Sequence, residues 1–317
     1  MKQLPRILAI LFGVLFAVSL FYSLETILTL SGALARAGGG GEPREYHVAL
    51  FLPATPSMFF DRVVAGATEA AGAQGVAISV HPIDVASPEF PLARHSGIDG
   101  VIIYPSYPEE RLRPLLEQLD SVGIPVVLIE HGVADEWPWS FVGTNSFDLG
   151  RRMGELAAEA LPDPVNLALV YSEKSPGVAS ERELVELGIN TTMGRRLAGP
   201  VLRKQTGLNP LDAENLTYRI LRDEPHVNVL VFTDPADTLA AVQVIIDLNL
   251  VGRVQVIGFG MTETIQNYLD QGILAATIVV NPRQIGADSV RVLAGLIREG
   301  YSPGYVDTGV QVVRGTR

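Results

Sequence analysis

The stretch Val229–Pro282, VLVFTDPADTLAAVQVIIDLNLVGRVQVIGFGMTETIQNYLDQGILAATIVVNP, holds three strand–helix units in a row. Val229–Phe232 is a continuous β-branched and aromatic run, which suits a strand buried on both faces of a parallel sheet. Thr233-Asp234-Pro235 then ends the strand and opens a helix with proline in its first turn. Val254–Ile257 and Ala276–Val280 repeat the pattern. Leu239, Val242, Ile245 and Ile246 recur at helical spacing between the first two strands. That connection is therefore a helix packed on a sheet and not a hairpin. Units of this kind in series predict a doubly wound α/β fold.

Working outward, the alternation holds from His47 to the end of the chain. Strands are expected near His47–Leu52, Val76–His81, Gly100–Tyr104 and Pro125–Ile129, with helices near Phe59–Gln74 and Glu109–Ser121. A second block is expected to hold a helix at Phe147–Ala160 and strands near Leu167–Tyr171 and Val201–Gln205 ahead of the quoted stretch. A long helix at Pro282–Arg298 and a strand at Val310–Val313 close it. With 317 residues and 47% hydrophobic content, two such α/β lobes in tandem are the simplest architecture.

The N-terminus carries Lys2 and Arg6 ahead of the apolar run Ile7–Tyr22, with Thr26–Leu34 continuing it more weakly beyond Glu25. Residues 1–36 therefore read as a signal peptide or as a membrane anchor. Ala33-Leu34-Ala35 and Ala35-Arg36-Ala37 offer the small-x-small pattern of cleavage. The whole apolar stretch also comes near the ~20 residues that span a bilayer, with its positive charges on the cytoplasmic side. Both readings place the folded part outside the cytoplasmic membrane. The segment 37–46, which begins AGGGGEP, is expected to be a flexible linker.

Composition excludes several classes. A net charge of −11 and the absence of a basic stripe argue against nucleic acid. Without cysteine the chain has no disulfide, thiolate metal site, Cys nucleophile or lipid-modified Cys. G-x-S-x-G, Walker-type and H-E-x-x-H motifs are absent, and the five histidines lie without ligand spacing, so neither an enzyme nor a metal or cofactor site is expected. Two glycosylation patterns, Asn190-Thr191-Thr192 and Asn215-Leu216-Thr217, are short enough to occur by chance.

Three motifs carry a family resemblance. GILAATIVVNPRQIGADSV at Gly272–Val290 resembles the G-x-L-x-A-T-x-x-Q-x-P-x-x-x-G pattern of ribose/galactose-type periplasmic binding proteins, which share their fold with lac-repressor-type ligand domains. Gly258-Phe259-Gly260 resembles their Gly-Phe-Asp turn, and FVGTNSFDLGRRMGELA at Phe141–Ala157 their first crossover. The resemblance implies two Rossmann-like lobes, 47–144 plus 281–307 and 145–280 plus 308–317. It also implies a three-segment hinge including Thr144, Asn145, Val280 and Asn281, with ligand in the cleft. An apolar segment stands where a repressor would carry its DNA-binding headpiece, so a repressor is not expected.

In open α/β sheets ligands bind beyond the carboxyl ends of the strands, which directs attention to the residues there. Thr55, Ser57, Phe59 and Phe60 follow the first strand, where the resemblance implies aromatics stacked on a sugar; alternatively, one of the two Phe is core. Tyr104, beside Ser106, follows the third strand and can both stack and donate. Glu130-His131 stands where the family commonly has an Asp-Arg pair gripping hydroxyls, and its alternative is a satisfied pair at a strand end. Arg182 matches a family arginine or else pairs with Glu186 along a helix. Asp234 matches a polar cleft position or caps the following helix, and serves both only by dividing its oxygens.

Two departures weigh against plain ribose or galactose. Gly260 replaces the turn carboxylate and Val280 the motif glutamine. Pro88 and Pro91 also break Pro82–Ser96 where relatives carry a full helix, leaving a loop. The resulting expectation is a solute-binding protein that delivers a sugar or similar small polar ligand to an ABC permease. A binding protein that signals to a membrane receptor or histidine kinase is the second expectation.

Overall fold

The computed structural model describes residues 46–54, 58–83, 97–107, 109–130, 138–162, 164–175 and 181–315. The expected N-terminal segment and linker, Thr55, Ser57, His131 and most of the Pro-interrupted loop lie outside the described residues.

Twelve strands form two six-stranded sheets among the described residues. The first is ordered β2 (Val76–Ile83), β1 (Tyr46–Pro53), β3 (Gly100–Ile103), β4 (Val126–Ile129), β5 (Ser140–Gly143) and β11 (Tyr305–Asp307), parallel throughout. The second is ordered β7 (Leu202–Thr206), β6 (Leu167–Ser172), β8 (Val229–Phe232), β9 (Gln255–Phe259), β10 (Ala276–Val280) and β12 (Val310–Arg314). Only β12 runs antiparallel to its neighbour. The central strands β3, β4, β6 and β8 are buried along their whole length, as continuous apolar runs require when helices cover both faces.

The first sheet is flanked by α1 (Met58–Ala73), α2 (Glu109–Asp120) and α8 (Pro282–Glu299), the second by α3 (Ser146–Ala160), α4 (Arg182–Met193), α5 (Asp212–Asp223), α6 (Pro235–Asp247) and α7 (Glu263–Asp270). Each helix buries one stripe. Leu112, Leu116 and Leu119 of α2 recur at i, i+4 and i+7, and Ala213, Leu216, Thr217 and Ile220 of α5 follow the same geometry. Strands β5 and β11 and helix α5 were not among the expected elements. β11 has only three residues, too few for a periodic signal, whereas β5, as long as β3, β4 and β8, and the stripe of α5 were readable. Thr217 is buried and donates to the Ala213 carbonyl, so the second glycosylation pattern is part of that packed stripe.

Two helix pairs rest on interlocked glycines. A Cβ on Gly66 of α1 would stand 1.9 Å from the Arg283 carbonyl oxygen, and one on Gly286 of α8 would stand 2.0 Å from that of Val63. In the other sheet's layer, Gly150 of α3 and Gly188 of α4 meet the carbonyls of Val185 and Phe147 at 1.9 and 2.2 Å in the same sense. Gly286 ends the family-like motif, and its reason is backbone contact between helices.

The chain passes between sheets three times within the described residues. β5 leads through Thr144 into α3, whose N-cap Asn145 accepts from the Asp148 N–H at 2.9 Å. β10 leads into α8, whose N-cap Asn281 accepts from the Gln284 N–H at 3.1 Å, with Pro282 at the start. Only Thr308 and Gly309 separate β11 from β12. The first two crossings are capped, which fixes where α3 and α8 begin, and the third is a two-residue link.

Candidate functional site

Glu130 follows β4 at the carboxyl edge of the first sheet, with φ of 62°, a left-handed conformation costly for a residue with a side chain. Its backbone is held in place: the Glu130 N–H donates to the Val142 carbonyl at 3.0 Å. Gly143 makes room for it, since a Cβ there would lie 2.8 Å from Glu130 Cα. The side chain is 7% exposed. Its Oε2 accepts from the Thr144 N–H at 3.3 Å and more loosely from the Thr144 hydroxyl at 3.5 Å. Burial pushes the carboxyl up to about 8; Thr144 pulls it down, while the charges of Glu181 and Asp307 push it up.

Aromatic residues of the first sheet's layer lie at the same edge. Tyr104, buried after β3, has its hydroxyl pKa raised first by burial, then by Glu130 and Glu181. Phe60 is buried in the first sheet's core and meets Tyr104 edge-on at 5.1 Å. Phe59 meets Phe60 at 5.3 Å and packs against the hydrophobic cores of both sheets. Of the two phenylalanines it is Phe59 that lies between the sheets. Tyr305 on β11 stacks on Phe141 at 5.3 Å, and burial, then Asp307, push its hydroxyl up to about 12, with Glu181 and Glu130 adding to the effect.

The remaining sequence-derived residues lie differently. Arg182 opens α4 with its guanidinium over the Tyr171 ring at 5.6 Å, and its backbone carbonyl accepts from the Tyr171 hydroxyl. Glu186, considered as its ion-pair partner, is 2.7 Å from Arg203. Asp234 divides its oxygens: Oδ1 caps α6 through the N–H groups of Ala236 and Asp237, and Oδ2 accepts from the Ser175 hydroxyl at 3.2 Å. Burial raises its pKa, with Asp237 adding to the shift. Behind it, Asp237 accepts from Lys174 Nζ at 2.6 Å and from the Thr206 hydroxyl at 2.5 Å, a polar cluster at the carboxyl ends of β6 and β7. Val280 is buried beside the first turn of α8.

Glu181, Tyr305 and Asp307 were missed in the sequence. Glu181 adjoins Arg182, so its neighbour offered a cue. Tyr305 and Asp307 lie on a three-residue strand that no pattern marks. At Gly260, φ is +72° and a Cβ would stand 2.6 Å from Pro235 Cγ. The missing turn carboxylate is thus written into the backbone, because any side chain there is strained. Among the described residues no cluster of His, Asp and Glu is placed to hold a metal ion, and no helix is long and apolar enough to cross a membrane.

The fold has many relatives. A glucose-galactose binding protein, GanP from Geobacillus stearothermophilus, superposes with a TM-score of 0.70 at 21% identity, covering 85% of this chain and 97% of that one. An ABC transporter periplasmic solute-binding protein from Actinobacillus succinogenes with bound D-allose gives 0.72 at 20% identity, covering 85% and 98%. A chain of the XylFII-LytSN complex gives 0.69 at 23% identity, covering 86% and 98%. No curated protein matches the sequence. Residues 48–301 match the profile described as a periplasmic binding protein domain, and the chain belongs to that family.

Proposed function

We propose that the chain is an extracytoplasmic solute-binding protein that captures a sugar or a similar small polar molecule between its two sheets for delivery to an ABC-type permease. The observation that carries this reading is Glu130, a buried carboxyl in a strained left-handed conformation at the carboxyl edge of β4, the edge where open α/β sheets bind ligands. Strain of this kind persists where surrounding structure over-determines it, and it clusters at ligand sites. Phe59, Tyr104, Glu130 and His131 form the first lobe's side of the site. Arg182 and Asp234 form the second lobe's side, and Phe60 supports Tyr104 from the core. The lobes are 47–144 with 281–307 and 145–280 with 308–317, hinged at Thr144-Asn145, Val280-Asn281 and Thr308. Residues 1–36 export or anchor the chain, and 37–46 tether it. Closure on the ligand requires that the closed form bind better than the open one.

The test is a thermal-shift screen against sugars, sugar alcohols, phosphorylated sugars and nucleosides. Ligand at ~100 times its dissociation constant adds about 2.7 kcal/mol, a clear shift. Absence of any shift across the panel overturns the reading.

A second reading, signalling to a membrane sensor kinase, is favoured by Gly260 and Val280 in place of polar cleft groups and by the absence of a lipid-attachment Cys. The fold shared with a chain of the XylFII-LytSN complex supports it too. A permease and ATPase encoded beside the gene would mean transport, and a kinase would mean sensing.

A further inference from the structure

The second sheet is ordered β7-β6-β8-β9-β10-β12, so β6, the strand that opens it, has β7 on one side and β8 on the other. Where strand order reverses like this, the loops leaving the two central strands part and open a crevice at their carboxyl ends, the usual seat of a ligand. The first sheet reverses in the same way between β1 and β3, and Phe59 and Tyr104 stand after those two strands.

A lysine spans the crevice of the second sheet. Lys174, two residues past β6, reaches the first turn of α6, where Nζ donates to Asp237 Oδ1 at 2.6 Å. Ser175 beside it donates to Asp234 Oδ2 at 3.2 Å. The turn that carries both is fixed: the Ser172 N–H donates to the Thr233 hydroxyl at 3.0 Å, and the Lys174 N–H donates to the Ser172 hydroxyl at 3.3 Å. The Asp237 side chain is 1% exposed and that of Lys174 19%.

Donors and acceptors are unevenly spent in this cluster. Asp237 Oδ2 accepts from the Thr206 hydroxyl, and Asp234 Oδ1 accepts from two N–H groups, so each oxygen of both carboxylates already holds a protein donor. An ammonium has three donors, and among the described residues Lys174 Nζ spends one. A brace between β6 and α6 needs that one bond alone. The other two donors belong to a largely covered side chain at the edge where ligands bind. Asp237 supplies the counter-charge a covered lysine requires and holds Nζ in one place, so the ordering of a long side chain is complete before any ligand arrives.

We infer that Lys174 is a ligand-contacting residue of the second lobe, donating from its two uncommitted N–H groups to oxygen atoms of the captured molecule, and that Asp237 is the residue that positions it. This rests on the solute-binding reading above and goes further by naming what the second lobe offers. The group turned toward β6 must carry acceptor oxygens, because a group that only donates meets carboxylates already committed to the protein.

The test exploits composition. The chain has only three lysines, Lys2, Lys174 and Lys204. Full-length protein isotope-labelled at the lysine ε-carbon therefore gives a nuclear magnetic resonance spectrum of three side-chain signals, and Lys174→Arg identifies the one from the crevice. The protein is titrated with D-ribose, D-galactose, D-allose, D-arabinose, sorbitol, glucose phosphate and adenosine, with calorimetry in parallel. A compound that binds should move the Lys174 signal and leave that of Lys204 in place. Lys174→Met/Asp237→Asn, which removes the donor together with its counter-charge, should weaken that compound about tenfold to a hundredfold, and Lys174→Arg, which keeps donors, should weaken it less. Asp237→Asn alone should shift the Lys174 signal of the free protein and cost less affinity than the paired change. A compound that binds without moving the Lys174 signal, or equally well to the paired variant, overturns the inference and leaves the solute-binding site standing. Binding of none of the seven overturns the site reading and this inference together.

Discussion

The backbone N–H of Asn145 donates to Asp307 Oδ1 at 3.2 Å, so the first crossing between the sheets is fastened to the last. The same oxygen accepts from the Gly309 N–H at 2.9 Å, and Thr308 donates to the Gly143 carbonyl through its N–H at 2.9 Å. One carboxylate oxygen thus joins two of the crossings between the sheets. Asp307→Ala should cost about 1 kcal/mol, small because water can reach the freed N–H groups, whereas Asp307→Asn keeps an acceptor and should stay within a few tenths. Urea midpoints at constant slope measure both.

Glu130 gives the free protein a characteristic pH dependence. Its carboxyl titrates near 8 in the folded state against an ordinary 4.5, so between these values the folded chain holds a proton that the unfolded chain has lost. Stability from this group therefore falls as pH rises from about 4.5 to about 8 and levels above that. The size is on the order of a few kcal/mol. Glu130→Gln removes the slope, so the variant should gain on the natural protein as pH rises. Parallel denaturation curves at pH 5 and about pH 8.5 test it, and equal slopes in the two proteins would contradict the assignment.

Gly286 and Gly72 make a matched pair. A Cβ at Gly286 meets the backbone oxygen of Val63 at 2.0 Å, and a helix backbone does not give way as a side-chain tip would. Gly286→Ala should therefore separate α1 from α8 and cost about 3 kcal/mol. At Gly72, near the end of α1, an added Cβ meets nothing within 4 Å. Gly72→Ala should be neutral or stabilise by up to about 1 kcal/mol. Thermal midpoints moving in the same direction in both variants would contradict the packing argument.

How much of this was legible follows from where each signal lives. The strands Val229–Phe232 and Ala276–Val280 announced themselves because burial on both faces demands an unbroken apolar run. Asp234-Pro235 read as a helix start because capping chemistry is local. Glu130 was singled out by its place after a strand, but its left-handed backbone was invisible, since that depends on Gly143 thirteen residues on and in the next strand. Glu181, Tyr305 and Asp307 act only through contacts made across the crossings, which no single stretch of sequence encodes. Phe59 and Phe60 were inseparable as neighbours in sequence. One helical step of about 100° sends one into the core and the other between the sheets.

Gly260 bears on whether the family's missing carboxylate could simply be restored. With φ of +72° and Pro235 in the way, Gly260→Asp should destabilise the protein by about 2 kcal/mol. It should not tighten binding of any sugar, because the new side chain would displace the first turn of α6 before reaching ligand. Tighter binding by this variant in calorimetry would show that the turn can flip.

Phe59 bridges the cores of the two sheets. It is the partly buried side chain that packs against the cores of both sheets while its neighbour Phe60 is committed to one. Removing its ring takes apolar contact from the space between the lobes and leaves the first sheet's core with Phe60, Val63 and Tyr104 in place. If the lobes close as proposed above, Phe59→Ala should disfavour the closed arrangement by roughly 1–2 kcal/mol, less than a fully buried phenylalanine because the ring is only partly covered. A shift of that size moves the balance about fivefold to thirtyfold toward open forms. Small-angle scattering should report a larger radius of gyration for the free variant, and far-ultraviolet circular dichroism should be unchanged. If the variant scatters like the natural protein, the ring is packing rather than a latch between the sheets.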